Sequence, residues 1–141
     1  LREMKSNLVE ELKKLIEENI DPSMFPYAKG NSIRIGSLVI RENKKGFHIH
    51  DLKTKNHIAT TFSKTAAVAI ARNLAKGNNV TTAAIDLDKV IEKNFSDAMF
   101  YSHTLRTTKD EMKKDVTETR LDIAKSRTEN AKRHLDCMIF S

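Results

Sequence analysis

The sequence predicts an α+β protein: an N-terminal helix, a three-stranded antiparallel sheet covered by an alanine-rich helix, then a long antiparallel helical hairpin. Three observations predict it. Apolar residues recur every three or four positions in residues 1–20 and again in residues 80–140. Between them, residues 32–62 alternate apolar and polar side chains with turn formers at intervals. An alanine-rich stretch opened by Ser63 and closed by Gly77 follows the alternating part. Period 3.6 marks amphipathic helices and period 2 marks half-buried strands.

In the first helix the apolar line is Leu1, Met4, Leu8, Leu12, Leu15, Ile16 and Ile20. Asp21-Pro22 ends it, because the residue before proline is pushed out of the helical region. The strands are expected at Ile33–Arg41, Phe47–Leu52 and His57–Phe62, with turns at residues 43–46 and 53–56. Gly36 interrupts the first strand and marks a bulge. Ser63 is a preferred N-cap, the helix runs to about Lys76, and Gly77 supplies the stop. Its apolar side is Ala66, Ala67, Ile70, Ala71 and Leu74.

The hairpin seam is expected from Ala84, Leu87, Ile91, Asn94, Ala98, Tyr101 and Leu105 on one helix. On the other it is Leu121, Ala124, Thr128, Ala131, Leu135 and Met138, with Met112, Val116 and Ile123 on an adjacent line. Thr108 and Glu111 form a candidate capping box between them. Many seam positions are small or polar, so the pair needs a further surface to pack on. Residues 1–79 therefore form an α-β-β-β-α unit, and residues 80–141 a hairpin that packs on it or on a second subunit.

Charge is distributed unevenly. The chain has 141 residues and a net charge of +6. Residues 1–26 carry −2 and residues 80–141 carry none, so residues 27–79 hold an excess of +8. An excess confined to one segment points to an anionic partner. Pairing Glu42 with Phe47 and Leu52 with His57 gives the sheet two unlike faces. One collects Leu38, Ile40, Phe47, Ile49, Ile58 and Phe62. The other collects Val39, Arg41, His48, His50, His57 and Thr61, with Lys44, Lys45, Lys53 and Lys55 in the turns at its ends. A basic sheet of this kind contacts phosphates through its lysines. With one arginine on the face, backbone contact is expected rather than base reading. The competing account is a solvated face with lysines placed for solubility and against edge pairing.

In "FSKTAAVAIARNLAKG", Ser63 and Lys64 stand where the second helix of double-stranded-RNA-binding domains opens toward phosphates, and the element order resembles that family. The stretch "FHIHDLKTKNHIATTFSKTAAVAIARN" resembles the three-strand-plus-helix DNA-binding domains of plant ethylene-response factors and the arm-binding domains of phage integrases. The shared element is Thr61, Phe62, Ser63, then Ala66, Ala67, Ala69 and Ala71. Within residues 32–77, that resemblance implies a sheet face lying on nucleic acid, with Arg41, His48, His50 and Thr61 as readers. The whole chain, through "GNSIRIG", "TKNHIAT" and "FYSHTLRTTKDEMKKDV", is similar to small uncharacterised proteins of tailed phages of marine bacteria, which implies no activity.

Other chemistry is sparse. His48 and His50 stand about 6.5–7 Å apart by strand rise, and with His57 they have a spacing that can share a metal. No carboxylate is placed beside them, so neither metal nor cofactor is expected. Protonation of these imidazoles below about pH 6.5 would strengthen anion binding. Asp86 and Asp88 read as first-turn acids favourable to a helix dipole. Cys137 with His134 lacks an orienting third group. There is no phosphate loop, dinucleotide glycine pattern or nucleophile elbow, so no enzyme is expected. The single cysteine fits a reducing compartment, and no apolar run approaches the roughly 18 residues of a membrane span. The N-terminal stretch lacks the apolar core of a secretion signal. These features point to a cytoplasmic binding protein contacting DNA or duplex RNA through Arg41, Lys44, Lys45, His48, His50, Lys53, Lys55 and Lys64. The alternative is an oligomeric assembly or scaffold protein, phage-encoded on the last resemblance, that acts through its helical hairpin and has no nucleic-acid role.

Overall fold

The computed structural model describes residues 32–140. The expected N-terminal helix lies outside the described residues. Seven elements follow in order: β1 (Ser32–Ile35), β2 (Leu38–Asn43), β3 (Gly46–Asp51), β4 (His57–Thr61), α1 (Lys64–Ala75), α2 (Thr81–Thr107) and α3 (Glu111–Phe140). The class is α+β with one antiparallel sheet in the order β1-β2-β3-β4.

The sheet has four strands, not three. The expected first strand folds back on itself at Gly36-Ser37, where Ile35 pairs with Leu38 across a two-residue turn. Gly36 has φ +60°, and a glycine at the first central position suits the tight turns whose twist matches antiparallel strands. The glycine is therefore a hairpin turn rather than a bulge.

The second hairpin follows the expected register, with Glu42 opposite Phe47 and Ile40 opposite Ile49. The third departs from it. Ile49 pairs with Ala59 and Phe47 with Thr61, one residue short of the expected register. The cause lies in the connecting turn. Leu52 leaves β3 and donates its backbone N–H to Ser37 O at 2.8 Å, while Asp51 N–H bonds to Asn56 O at 2.9 Å. Lys55 takes a left-handed φ of 60°. Ala59 and Thr61 consequently face the core and are buried, while Ile58 and Phe62 pack against it half-buried. A bulge at Ile58 then returns His57 to the polar face, opposite His50.

Helix α1 begins and ends as the sequence indicates. The Ser63 hydroxyl accepts from Ala66 N–H, at 3.3 Å. At the far end Gly77 (φ +84°) donates to Leu74 O and Asn78 to Asn73 O, two bonds that together form a Schellman stop. The helix is not one-sided, however. All residues from Thr65 to Ala71 are buried, because the sheet packs on one side of α1 and the hairpin on the other. A helix apolar all round is a central element, and burying Val68 and Ile70 contributes roughly 1.5–3 kcal/mol each.

The two hairpin helices run against each other along Ala84, Asp88, Ile91, Asn94, Ala98 and Ser102 on α2. The facing line on α3 is Thr117, Leu121, Ala124, Thr128, Ala131, Leu135 and Ile139. Met112, Val116 and Ile123 stay exposed. Asp110, not a Thr108–Glu111 box, caps α3: its carboxylate accepts from Met112 and Lys113 N–H. The main core joins the sheet, α1 and the near half of the hairpin, while Ala98, Leu121 and Ala124 form a separate small cluster farther along. Asn73 fastens the layers, its amide donating to Ala69 O at 2.8 Å and to Met138 O at 3.0 Å.

Candidate nucleic-acid interface

The outer face of the sheet is arranged in two cross-strand rows. One row is Ser32, Arg41, His48 and Thr60; the other is Arg34, Val39, His50 and His57. Neither row contains a carboxylate. The hairpin reaches the sheet only at β4, and α1 lies on the opposite, apolar side. Among the described residues, then, nothing packs over the two rows.

Arg34 belongs to this face because the first strand is folded into two. A single long strand would have carried one arginine here; the β1–β2 hairpin sets two on the surface. The Arg34 Nε donates to Gly36 O at 3.2 Å, which holds the guanidinium over the start of the sheet.

The three histidines converge. Ring centroids are 5.1 Å apart for His50 and His57, 5.9 Å for His48 and His57, and 6.4 Å for His48 and His50. His48 is held at both ring nitrogens, by Thr60 Oγ1 and by Asn43 Oδ1, each at 2.9 Å. His57 Nε2 also meets Thr60 Oγ1, at 2.8 Å. With these nitrogens occupied by neighbours the cluster is a hydrogen-bonded patch, and no group of three metal-ligating side chains among the described residues could hold an ion. Partial burial, then the nearby His57, Arg41 and His48, hold the His50 pKa below its ordinary 6.5.

Beside His50 the surface opens into a recess of about 260 Å³ lined by Val39, Arg41, His50, Asp51, Leu52 and Lys55. Val39 forms a buried apolar floor and Leu52 stands 41% exposed at the side. Lys55, one of the expected contact residues, is itself the left-handed residue of the β3–β4 turn and lines the recess. Asp51 is the one carboxylate of the lining, and its Oδ1 accepts from Lys53 N–H at 2.9 Å.

The expected contact residues divide accordingly. Arg41, His48 and His50 share the open face, and Lys55 joins Arg41 and His50 at the recess. Lys53 is exposed in the same turn as Lys55. Lys44 and Lys45 occupy the turn at the other end, where Lys45 shares a different recess with Asp88, Lys89 and Glu92. Lys64 opens α1, outside both rows. Thr61 is not a surface reader: it is 2% exposed, and its hydroxyl donates to Ser63 O at 2.7 Å. Arg34 and Leu52 went unnoticed in the sequence. A Gly-Ser pair between two alternating stretches was the signal for the first; the second had none, since its exposure depends on how the turn leaves β3.

No known protein family, curated protein or solved structure matches the chain. The described part has no helix long and apolar enough to cross a membrane.

Proposed function

We propose that this chain is a non-catalytic binding protein that contacts the backbone of nucleic acid through the outer face of its sheet. The observation that carries the reading is the pair of rows, uncovered among the described residues, which bears Arg34, Arg41 and three histidines and no carboxylate. Such a face neutralises phosphates and releases their counterions, so binding to DNA or duplex RNA falls steeply as salt rises. The test is fluorescence anisotropy with labelled DNA and duplex RNA over a salt series. Retention at low salt with a negative log–log slope supports the reading; no binding of either at low salt ends it.

A second reading is favoured by the hairpin. Met112, Val116 and Ile123 form one line along α3, exposed at 79%, 50% and 45%. Apolar side chains aligned in this way suit a protein contact, so an oligomeric assembly or scaffold role acting through the hairpin is the alternative. A strict monomer in light scattering at high concentration removes it.

A further inference from the structure

We infer that the recess beside His50 takes one unpaired nucleotide, so that the partner of the sheet face is single-stranded nucleic acid rather than a duplex. The inference rests on the nucleic-acid reading above and names its substrate class.

A surface that only follows a duplex backbone needs cations at phosphate spacing and has no use for apolar area, because the bases are stacked inside the helix. This recess offers both kinds of group. Val39 supplies an apolar floor and Leu52 a partly exposed apolar wall. His50 and Arg41 contribute an imidazole and a guanidinium, planar groups on which unstacked bases lie. Lys55 adds a second cation at the same recess for the attached phosphate. The volume of about 260 Å³ falls below the roughly 300–1,000 Å³ of pockets for drug-sized molecules, which suits the base of one nucleotide with its sugar and phosphate outside. On either side of the recess, Arg34, His48 and His57 continue the polar face along which the strand's remaining phosphates would run.

The experiment compares single-stranded DNA with a duplex of equal length, using the full chain and the variants His50→Ala and His50→Phe, by anisotropy at low salt. The expected result is tighter binding of the single strand. His50→Ala weakens that binding at least about fivefold, as loss of a stacking surface does, and weakens duplex binding by less. His50→Phe, which keeps a ring but can neither ionise nor hydrogen-bond, retains single-strand binding. Because it presents a ring in the same place, it also separates lost stacking from lost folding. Duplex binding as tight as single-strand binding, or equal losses for His50→Ala and His50→Phe, overturns the inference and leaves the backbone reading intact. Binding of neither form removes both.

Discussion

Asp88, in the second turn of α2, closes the N-terminus of α1 by accepting from both the backbone N–H and the hydroxyl of Ser63, at 2.8 and 2.7 Å. Its other oxygen accepts from Phe62 N–H at 2.7 Å. The Ser63 hydroxyl in turn accepts from Ala66 N–H, so one carboxylate and one serine together satisfy three backbone donors at a buried helix start. Asp88 is 4% exposed, which makes the joint a structural one between the hairpin and the α/β unit. Hydrogen bonds to an ionised group contribute more than neutral ones, and removing the acceptor leaves buried donors unmet. Asp88→Ala should therefore lower stability by roughly 2–3 kcal/mol, and Asp88→Asn by less, since an amide oxygen still accepts while its NH₂ faces donors. Urea unfolding of the three proteins measures it; an unchanged midpoint for Asp88→Ala would show the joint to be unimportant.

Asp88 also shows where the sequence was legible and where it was not. Local signals were sufficient for Ser63 as a cap, Gly77 as a stop and the Asn43–Gly46 turn, because each depends on a few neighbouring residues. The hairpin was legible from the spacing of its small residues. The role of Asp88 was not, because at residue distance 25 from Ser63 it reads as an ordinary acid near a helix start. The polar face was visible as an excess of charge, but its second arginine depended on recognising Gly36-Ser37 as a turn. The recess depended on a one-residue shift of register caused by Leu52 and Lys55, and a slip of one residue exchanges the two faces of a strand. That is why Thr61 changed from expected reader to buried residue.

Gly46 should resist substitution. Its φ is +130°, and a Cβ there would stand 2.3 Å from the backbone oxygen of Thr61 on the neighbouring strand. Backbone cannot move aside as a flexible side chain can. Gly46→Ala is expected to cost about 1–3 kcal/mol and to loosen the β2–β3 hairpin that carries Arg41 and His48. Chemical denaturation gives the first quantity, and amide exchange at β3 the second. Wild-type stability in this variant would show that the turn opens without cost.

Ser102 should behave in the opposite way. It lies 2% exposed on the hairpin seam, and its hydroxyl has no hydrogen-bond partner among the described residues. A buried hydroxyl left unpaired costs about 1–3 kcal/mol. Ser102→Ala removes that cost with little change of volume, so the variant should be as stable as the parent or more so, by up to about 1 kcal/mol. A clear loss of stability in thermal unfolding would mean that the hydroxyl is satisfied after all.

Acid should affect folding and binding in opposite directions at His50. Its folded-state pKa lies below 6.5, through burial first and then the charges of His57, Arg41 and His48. The folded protein thus favours the neutral ring, and its contribution to stability is present above about pH 6.5 and lost as pH falls through the lowered pKa. A bound phosphate near Arg41 and Lys55 favours the charged ring instead, so binding takes up a proton and affinity rises on acidification. Asp51, at the same recess, works against the anion. NMR titration of the His50 ring should give a midpoint below 6.5 in the free protein and a higher one with oligonucleotide bound; a downward shift on binding would contradict this account.

The cations of the basic segment should not contribute equally. Each phosphate contact adds about 0.9 to the slope of log affinity against log salt for duplex DNA, or about 0.7 for a single strand. Arg34 and Arg41 lie on the open rows, so neutralising either to glutamine should reduce the slope by roughly that amount and weaken binding to all sequences alike. Lys64 begins α1 outside both rows, and Lys45 shares its recess with Lys89, Asp88 and Glu92, where two carboxylates balance the two lysines and leave no net attraction for a phosphate. Lys64→Gln and Lys45→Gln should leave the slope within error of the parent. Equal losses at all four positions would mean that the partner senses the segment's total charge rather than this face. A loss confined to Lys45 and Lys64 would place the contact at the α1 end of the sheet.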